Sequence, residues 1–229
     1  MRKLLIAVII LVLLGAGADF VAARVFEDRV TDALQREYDL GRRPVVQVRD
    51  FPFLPHLATG RFSTIDVAAT GAHAKGVNAA QLQLTLHGVR VPRAVMLGEP
   101  GRVTVERADG TIELTEAEIN RLLADRLQGG SLDIKDEGVE VRADLPLVGE
   151  ALVTGRLGAR GGAVTFTPDQ IRLGAQGRLD PATENLLADR FTFQVPLPEL
   201  PAGVRLERVD TRPGTVVLSG RAASVGVAA

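Results

Sequence analysis

Strict alternation of apolar and polar residues is the feature that most constrains the fold of this chain. Residues 81–87 read Gln-Leu-Gln-Leu-Thr-Leu-His, and residues 139–145 alternate in the same way. A period of two puts apolar side chains on one face of a strand and polar ones on the other, as in antiparallel sheet with one dry face. Shorter alternations occur at Ile65/Val67, Val103/Val105, Val164/Phe166, Ile171/Leu173 and Val204/Leu206.

The apolar phase changes within one of these strands. It moves from the even positions of Leu82, Leu84 and Leu86 to the odd positions of Val89 and Val91, across Gly88. A one-residue slip at a glycine can be absorbed by a β-bulge, which bends the strand and increases its twist. We therefore predict a strongly curved antiparallel sheet.

Helices are predicted at three places, which makes the fold class α+β. Residues 19–38 have apolar side chains at three- and four-residue steps, and Gly41 follows as a stop signal. Residues 115–118, Thr-Glu-Ala-Glu, form a capping box that opens a helix ending at Gly129. Asp180-Pro181 is typical of the start of a further short helix.

A short internal repeat bears on the domain organisation. The sequence Leu-Leu-Ala-Asp-Arg occurs at residues 122–126 and again at 186–190, in predicted helices that each follow paired strands. Two interpretations stay open, a duplicated strand-strand-helix unit and a coincidence in a chain rich in Leu and Ala. In either case residues 19–229 are predicted to form one elongated domain.

The first 18 residues resemble a targeting segment. Arg2 and Lys3 precede an apolar run over residues 4–14, and the small residues 16–18 come before Asp19. This pattern fits a cleaved signal peptide, and residues 4–23 equally fit a retained membrane anchor interrupted by Asp19. Both alternatives place the rest of the chain outside the cytoplasm, in the periplasm or cell envelope.

Composition excludes several classes of site. The chain has no Cys, so it has neither disulfides nor cysteine-based metal or catalytic centres. Its net charge is -1 and its aromatic content 4%, which argues against a nucleic-acid partner. His56, His73 and His87 lack the spacing of metal ligands, so we expect no metal and no cofactor.

No motif indicates catalysis. The chain lacks a GxSxG nucleophile motif, and the glycine-rich residues 158–162 lack the Lys-Ser/Thr ending of a phosphate-binding loop. Residues 158–162 are better interpreted as a hairpin turn. We therefore predict a protein that is not an enzyme and has no catalytic residue.

Residues 51–57, Phe-Pro-Phe-Leu-Pro-His-Leu, form the most unusual segment. Two prolines exclude a regular strand because each removes a ladder donor. One interpretation is a turn that fills the core, with Phe51, Phe53 and Leu54 beneath the sheet. The other is an apolar rim that receives acyl chains, with Arg49 or Arg61 near a phosphate.

These features resemble the actinobacterial LmeA-like phospholipid-binding proteins. The resemblance rests on the apolar leader that runs into a helix, on residues 51–54 followed by Gly60-Arg61-Phe62, and on residues 200–206, Leu-Pro-Ala-Gly-Val-Arg-Leu. It implies a curved sheet wrapped around helix, similar to the tubular, BPI-like lipid-binding proteins. It also implies a phospholipid partner, including phosphatidylinositol species, and a supporting role in lipomannan maturation.

A curved sheet with one apolar face can bind lipid without polar chemistry, since burial of each acyl CH₂ contributes about 0.8 kcal/mol. The predicted acyl-chain contacts are Phe51, Phe53, Leu54, Leu57, Phe62, Leu82, Leu84, Leu86, Leu122 and Leu123. A membrane surface is a further expected partner. The alternative is a structural adaptor with a solid core that holds an envelope glycosyltransferase.

Overall fold

A computed structural model describes residues 2–37, 40, 42–74, 76–97, 99–127, 130–136, 138–145, 149–160, 162–174, 191–196 and 205–228. In chain order the elements are α1 (Arg2–Glu37), β1 (Val45–Val48), α2 (Phe53–Thr59), β2 (Arg61–Ala74), β3 (Val77–Arg90), α3 (Arg93–Met96), β4 (Arg102–Thr115), α4 (Glu116–Leu127), β5 (Ser131–Lys135), β6 (Gly138–Leu145), β7 (Gly149–Arg160), β8 (Ala163–Leu173), β9 (Phe193–Pro196), β10 (Arg205–Arg212) and β11 (Thr215–Ala228).

The strands form two antiparallel sheets. The six-stranded sheet has the order β1-β2-β3-β4-β11-β10, and the five-stranded sheet has the order β5-β6-β7-β8-β9. The predicted α+β class with antiparallel strands is thus confirmed. Among the described strands the sheets have free edges and do not close into a barrel, and the similarity to tubular lipid-binding folds stays a prediction.

Two hydrophobic cores hold these layers together. The first, which we call the helix core, lies between α1, α2 and one half of the six-stranded sheet, and includes Phe26, Phe53, Phe62 and Val105. The second, the intersheet core, joins the other half of that sheet to α4 and the five-stranded sheet. Its buried members include Leu114, Leu123, Val139, Val153, Phe166 and Leu218. The apolar face of the six-stranded sheet is therefore covered by α1 and α2 over one half, and by α4 and the five-stranded sheet over the other half.

The apolar phase does change at Gly88, but the predicted β-bulge is wrong. On one side His87 pairs with Arg107, and on the other Val89 pairs with Val105, in the same register. Gly88 takes up the change through its backbone, with φ of +63°, a region that favours glycine.

The apolar phase changes at the same level in four neighbouring strands. Ser63, Gly88, Glu106 and Ser224 occupy one row between the paired residues of β2, β3, β4 and β11, and Ser224 also has a positive φ, 54°. Residues of both phases then contribute to the helix core, with Ile65 from one side of the row and Phe62 from the other. A coordinated change in neighbouring strands keeps the ladder paired while the apolar face continues to point at α1.

Helix α4 connects the two sheets through its polar side chains. Glu118 accepts hydrogen bonds from the backbone and side-chain amides of Asn78 in β3, at 2.8 and 2.9 Å. On the other side, Asn120 exchanges two hydrogen bonds with the backbone of Leu132 in β5, each at 2.8 Å. These bonds, added to the intersheet core, fix one sheet against the other.

The predicted capping box is half confirmed. The Glu118 amide donates to Thr115 Oγ1 at 3.3 Å, as expected for an N-cap. The Glu118 carboxylate, however, contacts Asn78 and Arg121. The hydrogen bond from Arg121, with those from Asn78, lowers the pKa of Glu118 to about 2 although burial opposes this shift.

Other predicted elements have different outcomes. The helix over residues 19–38 is confirmed as the second half of α1, and the predicted hairpin near residue 160 connects β7 to β8. The helix at Asp180-Pro181 and the second copy of the internal repeat lie outside the described residues. Among the residues that are described, no helix has the combined length and apolarity needed to cross a membrane.

Glu118→Gln should destabilise the protein at neutral pH by roughly 1 to 3 kcal/mol, the usual contribution of hydrogen bonds to a buried charge. The folded-state pKa is lowered from 4.5 to about 2, so this stabilisation is complete above pH 4.5 and is lost as the pH falls through about 2. Urea unfolding of the parent and of Glu118→Gln should show that their free energies of unfolding differ less near pH 2 than at neutral pH.

Glu106→Gln is the matched control, because Glu106 pairs with Arg90 at an exposed position and should contribute well under about 1 kcal/mol. A Glu118→Gln protein that unfolds like the parent at neutral pH would contradict this account of the intersheet connection.

Candidate functional site

Residues 51–59 do not form a strand, as the prolines predicted, and most of them form the short helix α2. Pro52 precedes the helix, and Gly60 ends it in the left-handed region, with φ of +66°. A Cβ on Gly60 would lie 2.2 Å from the Val91 carbonyl oxygen, so a larger residue does not fit there. The Val91 amide donates to the Gly60 carbonyl at 2.8 Å, which attaches the end of α2 to the end of β3.

The N-terminus of α2 is capped by a residue of α1. Asp19 Oδ2 accepts a hydrogen bond from the Phe53 amide, and Oδ1 accepts one from the Leu54 amide, both at 2.7 Å. Pro52, at the N-cap position, offers no side-chain acceptor. Asp19 is only 4% exposed, and its negative charge is favourable beside the free amides of a helix start.

A second carboxylate of α1 binds β1. Glu27 is buried, and its Oε1 accepts a hydrogen bond from the Val48 amide at 2.9 Å. Asp19 and Glu27 are eight residues apart, so both lie on the side of α1 that faces the sheet. Together they hold α2 and the edge strand against the helix.

Three phenylalanines fill the space below this contact. Phe26 lies 5.4 Å from Phe53 and 5.3 Å from Phe62, and Phe53 lies 5.9 Å from Phe62, measured between ring centroids. Phe53 and Phe62 are almost completely buried. These two predicted acyl-chain contacts are therefore core residues that attach α2 and β2 to α1.

Phe51 and Leu54 lie on the outside. Phe51 is 76% exposed and Leu54 41%, although both belong to the segment that packs on α1. Leu57 is partly buried against the helix core. Neither interpretation of residues 51–57 is therefore complete, because Phe53 fills the core while Phe51 and Leu54 form an apolar surface.

The remaining predicted lipid contacts are dispersed. Leu82 packs against the intersheet core, Leu86 against the helix core, and Leu84 beside Gly110 on the dry face of β3. On α4, Leu123 is buried in the intersheet core and Leu122 is 40% exposed. In the described part of the chain these leucines do not converge on a common cavity.

The two predicted head-group residues differ in their surroundings. Arg49 donates to Asp66, which also accepts a hydrogen bond from Thr85 Oγ1 at 2.9 Å. Burial acts to raise the pKa of Asp66, but these hydrogen bonds outweigh it and the pKa is lowered. Arg61 is exposed, and its side chain has no ion pair with a described residue.

The polar face of the six-stranded sheet carries a groove of about 370 Å³ that the sequence analysis missed. Its lining comes from β3, β4, β10 and β11 and consists of Gln83, Thr85, Asp109, Gly110, Thr111, Glu207, Arg208, Ser219, Gly220 and Arg221. Asp109 accepts hydrogen bonds from Arg221 at 2.7 Å and Arg107 at 3.1 Å, and the bond from Arg221 is the main cause of its lowered pKa. The polar positions of the alternating strands could have pointed to this surface.

A smaller cavity of about 230 Å³ lies where β10 meets the five-stranded sheet, and it includes Arg156, Asp210 and Thr211. Both cavities are open to solvent, and the lining of the larger one is mostly polar. Within the described ranges, no three metal-binding side chains come together. The chemistry available at these surfaces is hydrogen bonding, ion pairing and apolar contact.

Asp19→Ala should cost about 1 to 2 kcal/mol of folding stability, because the first amides of α2 would lose their acceptor. Asp28→Ala is the control, since Asp28 is exposed and, among the described residues, pairs with Arg43 at 3.1 Å. Denaturant unfolding of the full chain measures both effects. Equal stabilities of the two variants would show that Asp19 does not hold α2 in place.

Comparison with known proteins identifies the family of this chain. Residues 17–221 match the family described as LmeA-like phospholipid-binding. No curated protein and no solved structure matches the chain. The matched region begins two residues before Asp19 and includes α2, the five-stranded sheet and the six-stranded sheet up to the middle of β11. The chain belongs to the LmeA-like phospholipid-binding family.

Proposed function

We propose that this protein binds phospholipid in the cell envelope, as a carrier or sensor of lipid rather than as an enzyme. The observation that carries the proposal is the family match over residues 17–221, whose described property is phospholipid binding. The apolar leader of the sequence supports a location outside the cytoplasm, with the N-terminal segment as a signal peptide or an anchor.

The exposed apolar side chains support contact with lipid. Phe51 and Leu54 are held at the surface by a helix that is capped and packed from below, so their exposure follows from a rigid local structure. Each apolar group that passes from water into acyl chains contributes about 25 cal/mol per Å² of buried area. Phospholipid affinity can therefore arise from shape and apolar area, without a dedicated catalytic constellation.

The family resemblance supports two finer proposals. One is a preference for inositol-type phospholipids, for which exposed Arg61 is a candidate phosphate contact. The other is a supporting role in the maturation of lipomannan or a related glycolipid. A lipid carrier would serve that process by presenting a lipid substrate to an envelope enzyme.

A second candidate is a structural adaptor for an envelope glycosyltransferase. The observation that favours it is that Phe53, Phe62 and Leu123 are buried in the helix core and the intersheet core. On this alternative the sheets provide a rigid scaffold and the polar groove or the exposed apolar surface contacts the enzyme.

Mass spectrometry of the full chain, purified in mild detergent from an envelope fraction, separates the two candidates. The lipid-binding proposal predicts that phospholipid copurifies in a fixed molar ratio and survives into native spectra. Protein that arrives free of phospholipid and also fails to associate with phospholipid vesicles would overturn it. Copurification of a glycosyltransferase with lipid-free protein would support the adaptor.

A further inference from the structure

One end of the six-stranded sheet is formed by the starts of β2 and β4 and the ends of β3 and β11. Arg61 at the start of β2 pairs with Arg90 at the end of β3, and Arg102 at the start of β4 pairs with Ala228 at the end of β11. The helices α2 and α3 lie at these strand ends. We call this region, formed by α2, α3, the residues next to them and these strand ends, the helical end.

Large apolar side chains are exposed at the helical end. Leu97, directly after α3, is 80% exposed, and Phe51 and Leu54 of the α2 segment are exposed as well. The two segments are joined, because Arg93 Nη2 donates to the Ala58 carbonyl at 3.1 Å and the Val91 amide donates to Gly60. An apolar surface on a fixed support is typical of a binding face rather than of a disordered loop.

The helical end also carries four arginines, Arg61, Arg90, Arg93 and Arg102. Its acidic residues include Glu99, Glu106, which pairs with Arg90 at 2.8 Å, and Asp50, which accepts a hydrogen bond from the Ser63 amide at 2.8 Å. Within the described ranges no ion pair involves Arg61 or Arg102, and both side chains are exposed.

Helix α1 brings a second apolar surface to the same end. Asp19 contacts the start of α2, and its neighbours Phe20 and Val21 are exposed, with the Arg24 guanidinium 5.3 Å from the Phe20 ring centroid. Further along α1, Val12, Leu13 and Leu14 are also exposed. Exposed apolar side chains therefore occur between residues 12 and 21 of α1 as well as next to α2.

We propose that the helical end docks onto the surface of a bilayer that contains anionic phospholipid. Phe51, Leu54 and Leu97 enter the boundary between head groups and acyl chains, and Arg61 and Arg102 contact lipid phosphates. Apolar insertion combined with basic residues is the general mode of binding at a membrane interface. The inference rests on the proposed function for the class of ligand, but it concerns the orientation of the protein and not whether a lipid copurifies.

Because the chain has no native cysteine, a single probe can report this docking. An environment-sensitive fluorophore on Leu97→Cys, in the full chain, is mixed with vesicles of phosphatidylcholine with phosphatidylglycerol. Its emission should shift to the blue and be quenched by lipids that carry a nitroxide in the acyl chain. The same fluorophore on Arg160→Cys, at the exposed end of β7 in the five-stranded sheet, should have the emission of an aqueous environment with and without vesicles.

Charge variants test the role of the arginines. Arg61→Gln with Arg102→Gln should weaken the response of the Leu97 probe about 25-fold, since each basic residue near an anionic surface contributes a factor of about five. Arg160→Gln with Arg172→Gln removes the same charge from exposed positions of the five-stranded sheet and should leave the response unchanged. Vesicles of phosphatidylcholine alone should give a weak response with the parent protein.

The outcome that would overturn the inference is a Leu97 probe that stays in water while the protein floats with the vesicles. In that case α1 alone would attach the chain to the bilayer. Phospholipid that still copurifies would then leave the proposed function intact, so the two failures can be told apart.

Discussion

The arrangement of this protein depends on two buried carboxylates of α1, Asp19 and Glu27. A carboxylate that is removed from water must be hydrogen-bonded, and here the acceptors are matched to backbone amides of α2 and β1. These bonds determine where α2 lies, and the cluster of Phe26, Phe53 and Phe62 then fills the space beneath it. As a result Phe51 and Leu54 are held outward on a firm support.

In the other half of the molecule, the buried carboxylate that holds a helix in place is Glu118. It connects α4 to β3, while Asn120 connects the same helix to β5. The apolar face of the six-stranded sheet is long, and the row through Gly88 and Ser224 lets that face change phase without losing its pairing. One sheet can thus support α1 near the helical end and the five-stranded sheet beyond it.

Much of this fold could be predicted from the sequence. The alternation at residues 81–87 and 139–145 identified strands β3 and β6, and the Thr115 cap identified the start of α4. Alternation shows which face of a strand is dry but not which sheet the strand joins, so the division into two sheets could not be predicted. In the sequence Asp19 stood out only as a charge in an apolar run, since its partners in α2 are 34 and 35 residues away.

The candidate lipid contacts were harder to predict for a related reason. A leucine that lines a lipid site and a leucine that fills a core have the same pattern in the sequence, and Leu123 and Phe62 are core. The exposed residues Phe51, Leu54 and Leu97 are distinguished by position at the helical end, which only the pairing of β2, β3 and β4 reveals.

The most direct measurement of where this protein meets lipid is photo-crosslinking of the full chain to vesicles that contain phosphatidylglycerol with a photoactivatable acyl chain, followed by peptide mapping. The account predicts crosslinks at residues 51–54 and 93–97 in addition to those on α1. Crosslinks found only on α1, or concentrated in the five-stranded sheet, would contradict it.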